Sequence, residues 1–285
     1  MARILGGIGT SHVPAIGRAI ADNRQQQPYW KPFFDGYAPA RDWLDKTQPD
    51  VAVVFYNDHG LNFFLDAMPT FAVGAADSYG NADEGWGLPV MEPYAGAAEL
   101  SWKLIDDLVA ADFDITSCQR MLVDHAFWVP MELLWPGAKR KIRTIPIAIN
   151  TVQHPLPSPS RCYRLGQAVG RSIAGWDDDV KVVVLGTGGL SHQLDGKRAG
   201  FLNTEFDRRC MADLVANPES LAKLSVHELV ELAGSQGVEL MMWLAMRGAL
   251  GEAVTSVTSN YHVPISNTAA GLLVMEPARR RAAAA

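Results

Sequence analysis

Short apolar runs alternate along the chain with stretches in which apolar residues recur at helical spacing. Apolar residues fall every three or four positions in 100–109 and in 206–214, which predicts amphipathic helices. Strands are predicted where valine- and isoleucine-rich runs end in polar or glycine-rich turns, at 4–8, 51–56, 142–149, 180–185 and 271–275. Strands interleaved with helices predict an α/β fold, with a central mixed or parallel sheet flanked by helices.

Two further helices are predicted from local signals. Ser225 and Glu228 have the spacing of a capping box, in which each side chain satisfies a backbone N–H at the start of a helix, and His227 is then a surface residue of its first turn. The segment 237–246 is apolar on nearly every side, which is typical of a buried helix.

Length and charge narrow the class of protein. The 285 residues fit one large domain or two small ones, and the composition, with 48% hydrophobic and 20% charged residues, is that of a globular chain. The net charge of −6 argues against binding to nucleic acid or to an anionic membrane surface, since both require a basic face. The proline-rich segment 154–160 could link two domains. We interpret it as a loop within one catalytic domain, residues 1–277, followed by a frayed tail, 278–285.

Cysteine usage and the N-terminus indicate the compartment. The three cysteines are odd in number and form no CxxC pair, so we expect reduced, buried thiols. The first residues lack the apolar stretch of a signal peptide, and no apolar run approaches 18 residues. These features predict a cytoplasmic protein.

Three histidines stand just beyond the carboxyl ends of predicted strands. His12 follows the first strand, His59 follows the second, and His192 follows the glycine-rich turn after the fourth. Ligands of open α/β sheets bind in the crevice outside the carboxyl ends of the strands, so three imidazoles placed there can converge on one point. A single histidine in such a loop would more simply be a structural residue.

Glu239 is the acidic residue that best complements these histidines. It lies in the apolar helix 237–246, where a carboxylate is costly to bury unless it is paired or bound to a metal. The alternative is an acid of the first helical turn, stabilised by the helix dipole. Two histidines and one carboxylate form the ligand set of non-haem Fe(II) oxygenases, but they also serve catalytic zinc. The residues alone leave open the metal and which of the three histidines does not bind it.

Other catalytic motifs are missing from the sequence. It contains no HExxH metalloprotease motif and no Gly-x-Ser-x-Gly nucleophile motif. The turn Gly186-Thr-Gly-Gly-Leu-Ser191 ends in serine where a dinucleotide fingerprint requires glycine, so we interpret its glycines as allowing close approach of the backbone to a ligand. A zinc-dependent hydrolase that uses the same histidines and Glu239 remains an alternative.

Seven segments, in order from about residue 4 to 277, resemble the class III extradiol ring-cleavage dioxygenases, most closely the catalytic beta subunits of protocatechuate 4,5-dioxygenases. The segments that carry the resemblance are Gly9-Thr-Ser-His-Val-Pro-Ala, Tyr56-Asn-Asp-His, Ala82-Asp-Glu-Gly-Trp-Gly, Val123-Asp-His, Gly186-Thr-Gly-Gly-Leu-Ser-His-Gln-Leu, Gly237-Val-Glu-Leu-Met-Met-Trp-Leu-Ala-Met-Arg-Gly-Ala-Leu and Tyr261-His-Val-Pro-Ile-Ser-Asn-Thr-Ala.

The resemblance implies roles for individual residues. His12, His59 and Glu239 would be the ligands of Fe(II), at the carboxyl ends of the strands. His192 would be the active-site acid and base, and His125 a second active-site histidine near the substrate oxygens. The resemblance also implies O₂ as a cosubstrate.

Substrate contacts are expected from a second set of residues. Asn57 lies beside His59, and Ser266 and Asn267 match the segment expected near the substrate carboxylate. The acidic chain cannot attract a carboxylated substrate by its overall field, so local donors are needed. Lys197 and Arg198 could contribute, although we interpret this pair as part of a solvated loop.

The activity implied is insertion of both atoms of O₂ into a carboxylated catechol. The expected reaction is cleavage of protocatechuate at the 4,5 bond to 4-carboxy-2-hydroxymuconate 6-semialdehyde, in the breakdown of aromatic compounds such as those from lignin. Gallate or methylgallate cleavage is the alternative. The resemblance also implies a partner, a small helical alpha subunit that covers the active site in an α2β2 assembly.

Overall fold

The computed structural model describes residues 1–85, 87, 91–137 and 142–278. Ten strands lie in this part of the chain: β1 (Arg3–Thr10), β2 (Val51–Tyr56), β3 (Phe71–Gly74), β4 (Ser78–Tyr79), β5 (Tyr94–Ala95), β6 (Thr116–Cys118), β7 (Arg143–Ile149), β8 (Lys181–Thr187), β9 (Val254–Ile265) and β10 (Thr268–Pro277).

Ten α-helices accompany these strands within the described ranges. They are α1 (Pro14–Ala21), α2 (Lys31–Asp35), α3 (Ala38–Thr47), α4 (Ala98–Ala110), α5 (His125–Leu134), α6 (Pro159–Ala174), α7 (Thr204–Ala216), α8 (Pro218–Ala222), α9 (Val226–Ala233) and α10 (Leu240–Ala249). Two 3-10 turns, Gly196–Arg198 and Gly237–Glu239, precede α7 and α10.

Eight strands form one mixed sheet in the order β6-β3-β7-β2-β8-β1-β10-β9. Its centre, β7-β2-β8-β1, is parallel, while β10 and β3 pair antiparallel with the two sides of this centre. The five predicted strands are confirmed as β1, β2, β7, β8 and β10. The carboxyl ends of β1, β2, β7 and β8 therefore meet at one edge, where ligands of α/β sheets bind.

Helices cover both faces of the sheet, and β2 shows this most directly. All six of its residues are buried. Val51, Val53 and Phe55 pack with the helices of one face, which include α4, α6 and α10. The intervening Ala52, Val54 and Tyr56 pack with α1, α3 and α5 on the other. A continuous apolar run is what a parallel strand buried on both faces requires.

The proline-rich segment 154–160 connects β7 to α6 and includes the first two residues of that helix. Pro159 is the first residue of α6, and Ser158 caps it by accepting from the backbone N–H of Arg161. Strands from both sides of this segment pair with each other, β2 with β8. The chain accordingly forms a single α/β domain.

The predicted apolar helix packs directly against the end of β8. Its first three residues form the turn Gly237–Glu239, and all ten residues of α10 are buried. A Cβ on Gly186 would lie 2.5 Å from the carbonyl oxygen of Met242, and a Cβ on Gly188, whose φ is +147°, would lie 2.7 Å from Cβ of Glu239. Glycine at these two positions thus brings Glu239 against the edge of the sheet.

The predicted capping box is confirmed, and the prediction of three buried cysteines is only partly correct. The capping box of Ser225 and Glu228 is present at the start of α9, and His227 is exposed. All three cysteines are free, but Cys118 is only half-buried, because it ends the short edge strand β6.

Of the predicted tail, the backbone of Ala278 donates to the carbonyl of Ala253, and residues 279–285 lie outside the described part. Among the described helices, none is long and apolar enough to cross a membrane.

Candidate metal centre

His12 reaches the carboxyl edge of the sheet directly after β1. Its Nδ1 lies 3.2 Å from Oγ1 of Thr187, the last residue of β8, which pairs with Thr10 in the neighbouring strand. Its Nε2 lies 3.3 Å from Oε2 of Glu239. The hydroxyl of Thr187 therefore orients the ring so that Nε2 faces the carboxylate.

His59 is presented by a tight loop after β2. The buried Asp58 carboxylate accepts backbone N–H groups from all four residues of 60–63, which fixes this loop. Nδ1 of His59 lies 2.8 Å from Oδ2 of Asp124, and Nε2 lies 3.6 Å from Oε1 of Glu239. A carboxylate on the far nitrogen of a histidine is the usual arrangement behind a metal-bound imidazole.

Glu239 lies between these histidines. Its side chain is 8% exposed, and Oε2 accepts the backbone N–H of Gly189 at 2.7 Å. Burial raises the pKa of this carboxyl, but His12 and His59 outweigh burial and hold the pKa well below its usual range. The carboxylate is thus ionised among imidazoles, as the sequence predicted for a buried acid with a cationic or metal partner.

His192 and His125 complete a cluster of four imidazoles. Nε2 of His192 lies 3.9 Å from Oε2 of Glu239, and its Nδ1 lies 3.0 Å from the carbonyl oxygen of Leu190. His125, the first residue of α5, stacks on His59 with ring centroids 4.2 Å apart. The structure therefore brings together the three predicted ligands, the predicted acid and base His192, and the second predicted active-site histidine, His125.

Three ligand triads are geometrically available among the described residues. His12 and His59 converge on Glu239, and ring nitrogens of His12, His59 and His125 also lie within 4.8 Å of one another. The ligand atoms of Glu84, Asp124 and His125 form a third group within the same distance of one another. The first two triads share His12 and His59, and their third ligand, Glu239 or His125, distinguishes them.

Electrostatics within the cluster favour a cation. Burial lowers the pKa of His59, but Asp124 and then Glu239 outweigh it and raise the pKa to about 10. Burial raises the pKa of Asp124, and His59 lowers it to about 2. Burial and the neighbouring His59 lower the pKa of His125. The two carboxylates thus hold a positive charge at His59, which a bound metal ion would supply in place of the proton.

The predicted substrate residues fall into two positions. Asn57 is buried, with Nδ2 3.0 Å from Nε2 of His59 and 3.3 Å from Oε1 of Glu239, while its Oδ1 is buried and has no hydrogen-bond partner among the residues that the structure describes. Ser266 and Asn267 form the exposed turn between β9 and β10, and Thr268 forms a bridge with His192. The turn therefore lies at the rim beside His192.

The Lys197-Arg198 pair lies in the 3-10 turn after the His192 loop. Lys197 is exposed, but Arg198 donates to the carbonyls of Val230 and Glu231 at 3.4 and 2.8 Å and covers the ring of Phe201. The interpretation of this pair as a solvated loop is wrong for Arg198, because its guanidinium anchors the end of α9. Both terminal nitrogens of the guanidinium donate to α9.

Three residues that hold the cluster were not predicted from the sequence. Thr187 contacts His12, Asp124 contacts His59, and the Glu84 carboxylate lies 2.5 Å from Nδ1 of His125. All three residues do occur within the segments that carry the family resemblance. Their location in these segments was the feature of the sequence that could have identified them.

Replacing Asp124 with asparagine should weaken metal binding by about 10- to 100-fold, since the far nitrogen of His59 would lose its carboxylate. Asparagine can still cap α5, where Asp124 accepts from Ala126 at 3.0 Å, so folding should be little affected. Chelator competition under anaerobic conditions measures the affinity. Asp107→Asn, which removes an exposed carboxylate bonded to Ser172, is the control. Unchanged affinity in Asp124→Asn would contradict this role.

The fold and the cluster define an α/β protein with a buried histidine–carboxylate centre at the carboxyl edge of its sheet. Residues 6–271 match the family model described as the catalytic LigB subunit of aromatic ring-opening dioxygenase. The chain belongs to this family, which is metal-dependent and uses O₂.

Two relatives of this chain are named as dioxygenases. The chain is 36% identical to gallate dioxygenase of Pseudomonas putida over 68% of its own length and 57% of that protein, so it spans just over half of this relative. It is 29% identical to 2,3-dihydroxyphenylpropionate/2,3-dihydroxicinnamic acid 1,2-dioxygenase of Rhodococcus jostii, over 92% of the chain and 94% of that protein.

The solved structure of uncharacterized protein JW3007 from Escherichia coli K12 resembles the fold. The TM-score is 0.57 at 13% sequence identity, covering 95% of this chain and 99% of that one. At this identity, the likeness concerns the fold alone.

Proposed function

We propose that this protein is an Fe(II)-dependent extradiol dioxygenase that opens the ring of a carboxylated catechol with both atoms of O₂. The preferred substrate is protocatechuate, cleaved at the 4,5 bond to 4-carboxy-2-hydroxymuconate 6-semialdehyde. The observation that carries the proposal is the convergence of His12 and His59 on Glu239, at 3.3 and 3.6 Å, in a chain of the ring-opening family.

The donor set suits Fe(II). Two imidazole nitrogens and one carboxylate on one face are the ligands of non-haem Fe(II) oxygenases, and His12, His59 and Glu239 would hold the metal. Nε2 of His12 and Nε2 of His59 already lie 3.3 and 3.6 Å from the Glu239 carboxylate, so the three donor groups face one point. Bound there, Fe(II) would acidify the diol hydroxyls and bring the diol and O₂ together for electron transfer.

His192 is suited to proton transfer. A carbonyl oxygen only accepts, so the contact with Leu190 places the proton of neutral His192 on Nδ1 and leaves a lone pair on Nε2. Nε2 can then take a proton from a substrate hydroxyl and return it to an oxygen of the opening ring. The backbone of His192 also donates to the carbonyl of Ala233 at 2.8 Å, which fixes the loop that carries it.

Polar groups around the cluster supply substrate contacts. Oδ1 of Asn57, which accepts no hydrogen bond from any described residue, is a buried acceptor that a substrate hydroxyl would satisfy. Ser266 and Asn267, at the rim beside His192, would donate to the carboxylate. Because the net charge is −6, these local donors, rather than the overall field, would bind an anionic substrate.

Gallate is the second candidate substrate, because a 36% identical relative is a gallate dioxygenase. An oxygen electrode assay on protein loaded anaerobically with Fe(II) would compare protocatechuate, gallate and 2,3-dihydroxyphenylpropionate. We expect the highest kcat/KM for protocatechuate. A clear preference for gallate would correct the substrate, and silence toward every diol at full iron loading would overturn the activity. Zinc in the purified protein, with no O₂ uptake, would instead favour a hydrolase.

A small helical alpha subunit, in an α2β2 assembly, is the proposed partner. Exposed apolar side chains lie on the loops around the edge where the site opens, at Phe64, Leu65, Leu122, Val152 and Leu194. Leu65 is 81% exposed, and a covering subunit would bury such groups. Sedimentation of the chain expressed with and without a candidate alpha subunit tests the assembly, and equal masses in the two samples would contradict it.

A further inference from the structure

Both carboxylate oxygens of Glu84 contact His125, the first residue of α5. Oε1 accepts the backbone N–H of His125 at 2.8 Å, and Oε2 lies 2.5 Å from Nδ1 of the same residue. The Glu84 side chain is 3% exposed, whereas the adjacent Asp83 is exposed. One carboxylate of this loop is therefore turned inward onto a histidine of the cluster.

The backbone around Glu84 is held independently of that contact. Ala82 donates to the carbonyl of Val123 at 2.9 Å, and Val123 donates to the carbonyl of Gly80 at 2.9 Å. Gly85 donates to the Asp83 carboxylate at 2.9 Å. The chain thus runs beside Val123 before Glu84 reaches His125, so the carboxylate is delivered to a fixed position.

This contact determines the chemistry of the His125 ring. An ionised carboxylate only accepts hydrogen bonds, so Nδ1 of His125 must carry a proton. In the neutral ring, the lone pair is then on Nε2, the nitrogen that can serve the cluster formed with His12 and His59.

We propose that Glu84 is a positioning residue, which fixes the orientation and the tautomer of His125 so that Nε2 is presented to the site as a hydrogen-bond acceptor. The consequence for turnover rests on the proposed function, since an acceptor at this position would receive a hydroxyl of the bound diol. The tautomer itself does not rest on it. A role confined to attaching the loop to α5 would leave the tautomer unchanged.

Glutamine at position 84 separates these two roles. If its Oε1 keeps the bond from the His125 backbone, its amide nitrogen faces Nδ1 and donates to it. The ring proton must then move to Nε2, which turns the acceptor into a donor. Glu84→Asp keeps an acceptor and should keep the proton on Nδ1. Asp83→Asn removes the same charge from the neighbouring residue without touching His125.

Long-range ¹H–¹⁵N NMR of the histidine rings reports the tautomer directly. Metal-free protein labelled at histidine would be measured at a mildly alkaline pH, where an ordinary imidazole, with a pKa of about 6.5, is neutral. We expect the Nδ1–H form of His125 in the wild type, Glu84→Asp and Asp83→Asn, and the Nε2–H form in Glu84→Gln. An Nε2–H form in the wild type, or an unchanged Nδ1–H form in Glu84→Gln, would overturn the proposal.

Kinetics of the Fe(II)-loaded variants then test the consequence. Glu84→Gln should lower kcat by about 10- to 100-fold with little change in KM, because the ligands and the substrate pocket are retained. Asp83→Asn should match the wild type. Wild-type kcat in Glu84→Gln would refute the catalytic consequence. If no protein turns over any diol while the NMR result holds, the proposed function fails and the positioning role stands.

Discussion

Replacing His192 with glutamine is expected to leave the metal content at the wild-type level and to lower turnover by about 10²- to 10⁴-fold. The reason is that glutamine can still donate to the Leu190 carbonyl, which is 3.0 Å from Nδ1, but has no group that takes up a proton near neutral pH. The ligands His12, His59 and Glu239 are unchanged in this variant.

Two measurements on the same sample test this result, the metal stoichiometry after anaerobic loading and the rate of diol consumption. His227→Gln, at an exposed histidine on α9, is the matched control and should behave as the wild type. Loss of metal from His192→Gln would show that His192 is a ligand, since its Nε2 lies 3.9 Å from the Glu239 carboxylate. Retained turnover would show that the proton has another acceptor.

The substitution Glu239→Gln should abolish stable metal binding. The carboxylate offers one oxygen to the backbone N–H of Gly189 and also faces both His12 and His59. An amide has one uncharged oxygen, and its NH₂ group donates hydrogen bonds, so glutamine loses the negative charge and turns one of the two ligating positions into a donor that cannot bind a cation. We expect less than about a tenth of the wild-type metal after desalting, because a charged ligand is lost outright.

Metal analysis of Glu239→Gln beside Glu231→Gln, a change at α9 outside the cluster, gives the comparison. The result also distinguishes Glu239 from His125 as the third ligand beside His12 and His59. Full metal retention would contradict Glu239 as a ligand and assign the centre to the imidazoles of His12, His59 and His125, whose nitrogens lie within 4.8 Å of one another.

Continuous apolar runs made the centre of the sheet predictable. The second predicted strand, 51–56, coincides with β2, because a strand buried on both faces has few polar residues to obscure its pattern. β9 was missed for the opposite reason. It is an edge strand whose first half is rich in serine and threonine and largely exposed, so its pattern carries little signal. β6, with three residues, is too short for a periodicity to appear.

The candidate site was predictable to the extent that strand ends locate it. His12 and His59 follow strands whose carboxyl ends meet at one edge, and a buried acid in an apolar helix needs a partner. The residues that orient the rings could not be derived in this way. Asp124 lies 65 residues from His59, and Glu84 lies 41 residues from His125. Such contacts depend on how loops cross the edge of the sheet, which local pattern does not specify.

The most direct test of the central claim follows the oxygen atoms. Protein loaded anaerobically with Fe(II) would be mixed with protocatechuate under ¹⁸O₂, and the ring-opened product would be analysed by mass spectrometry together with O₂ uptake. A dioxygenase built on His12, His59 and Glu239 predicts one O₂ consumed per diol and two ¹⁸O atoms in the product. A ring-opened product without ¹⁸O, or full iron loading without O₂ uptake on any carboxylated catechol, would contradict the account.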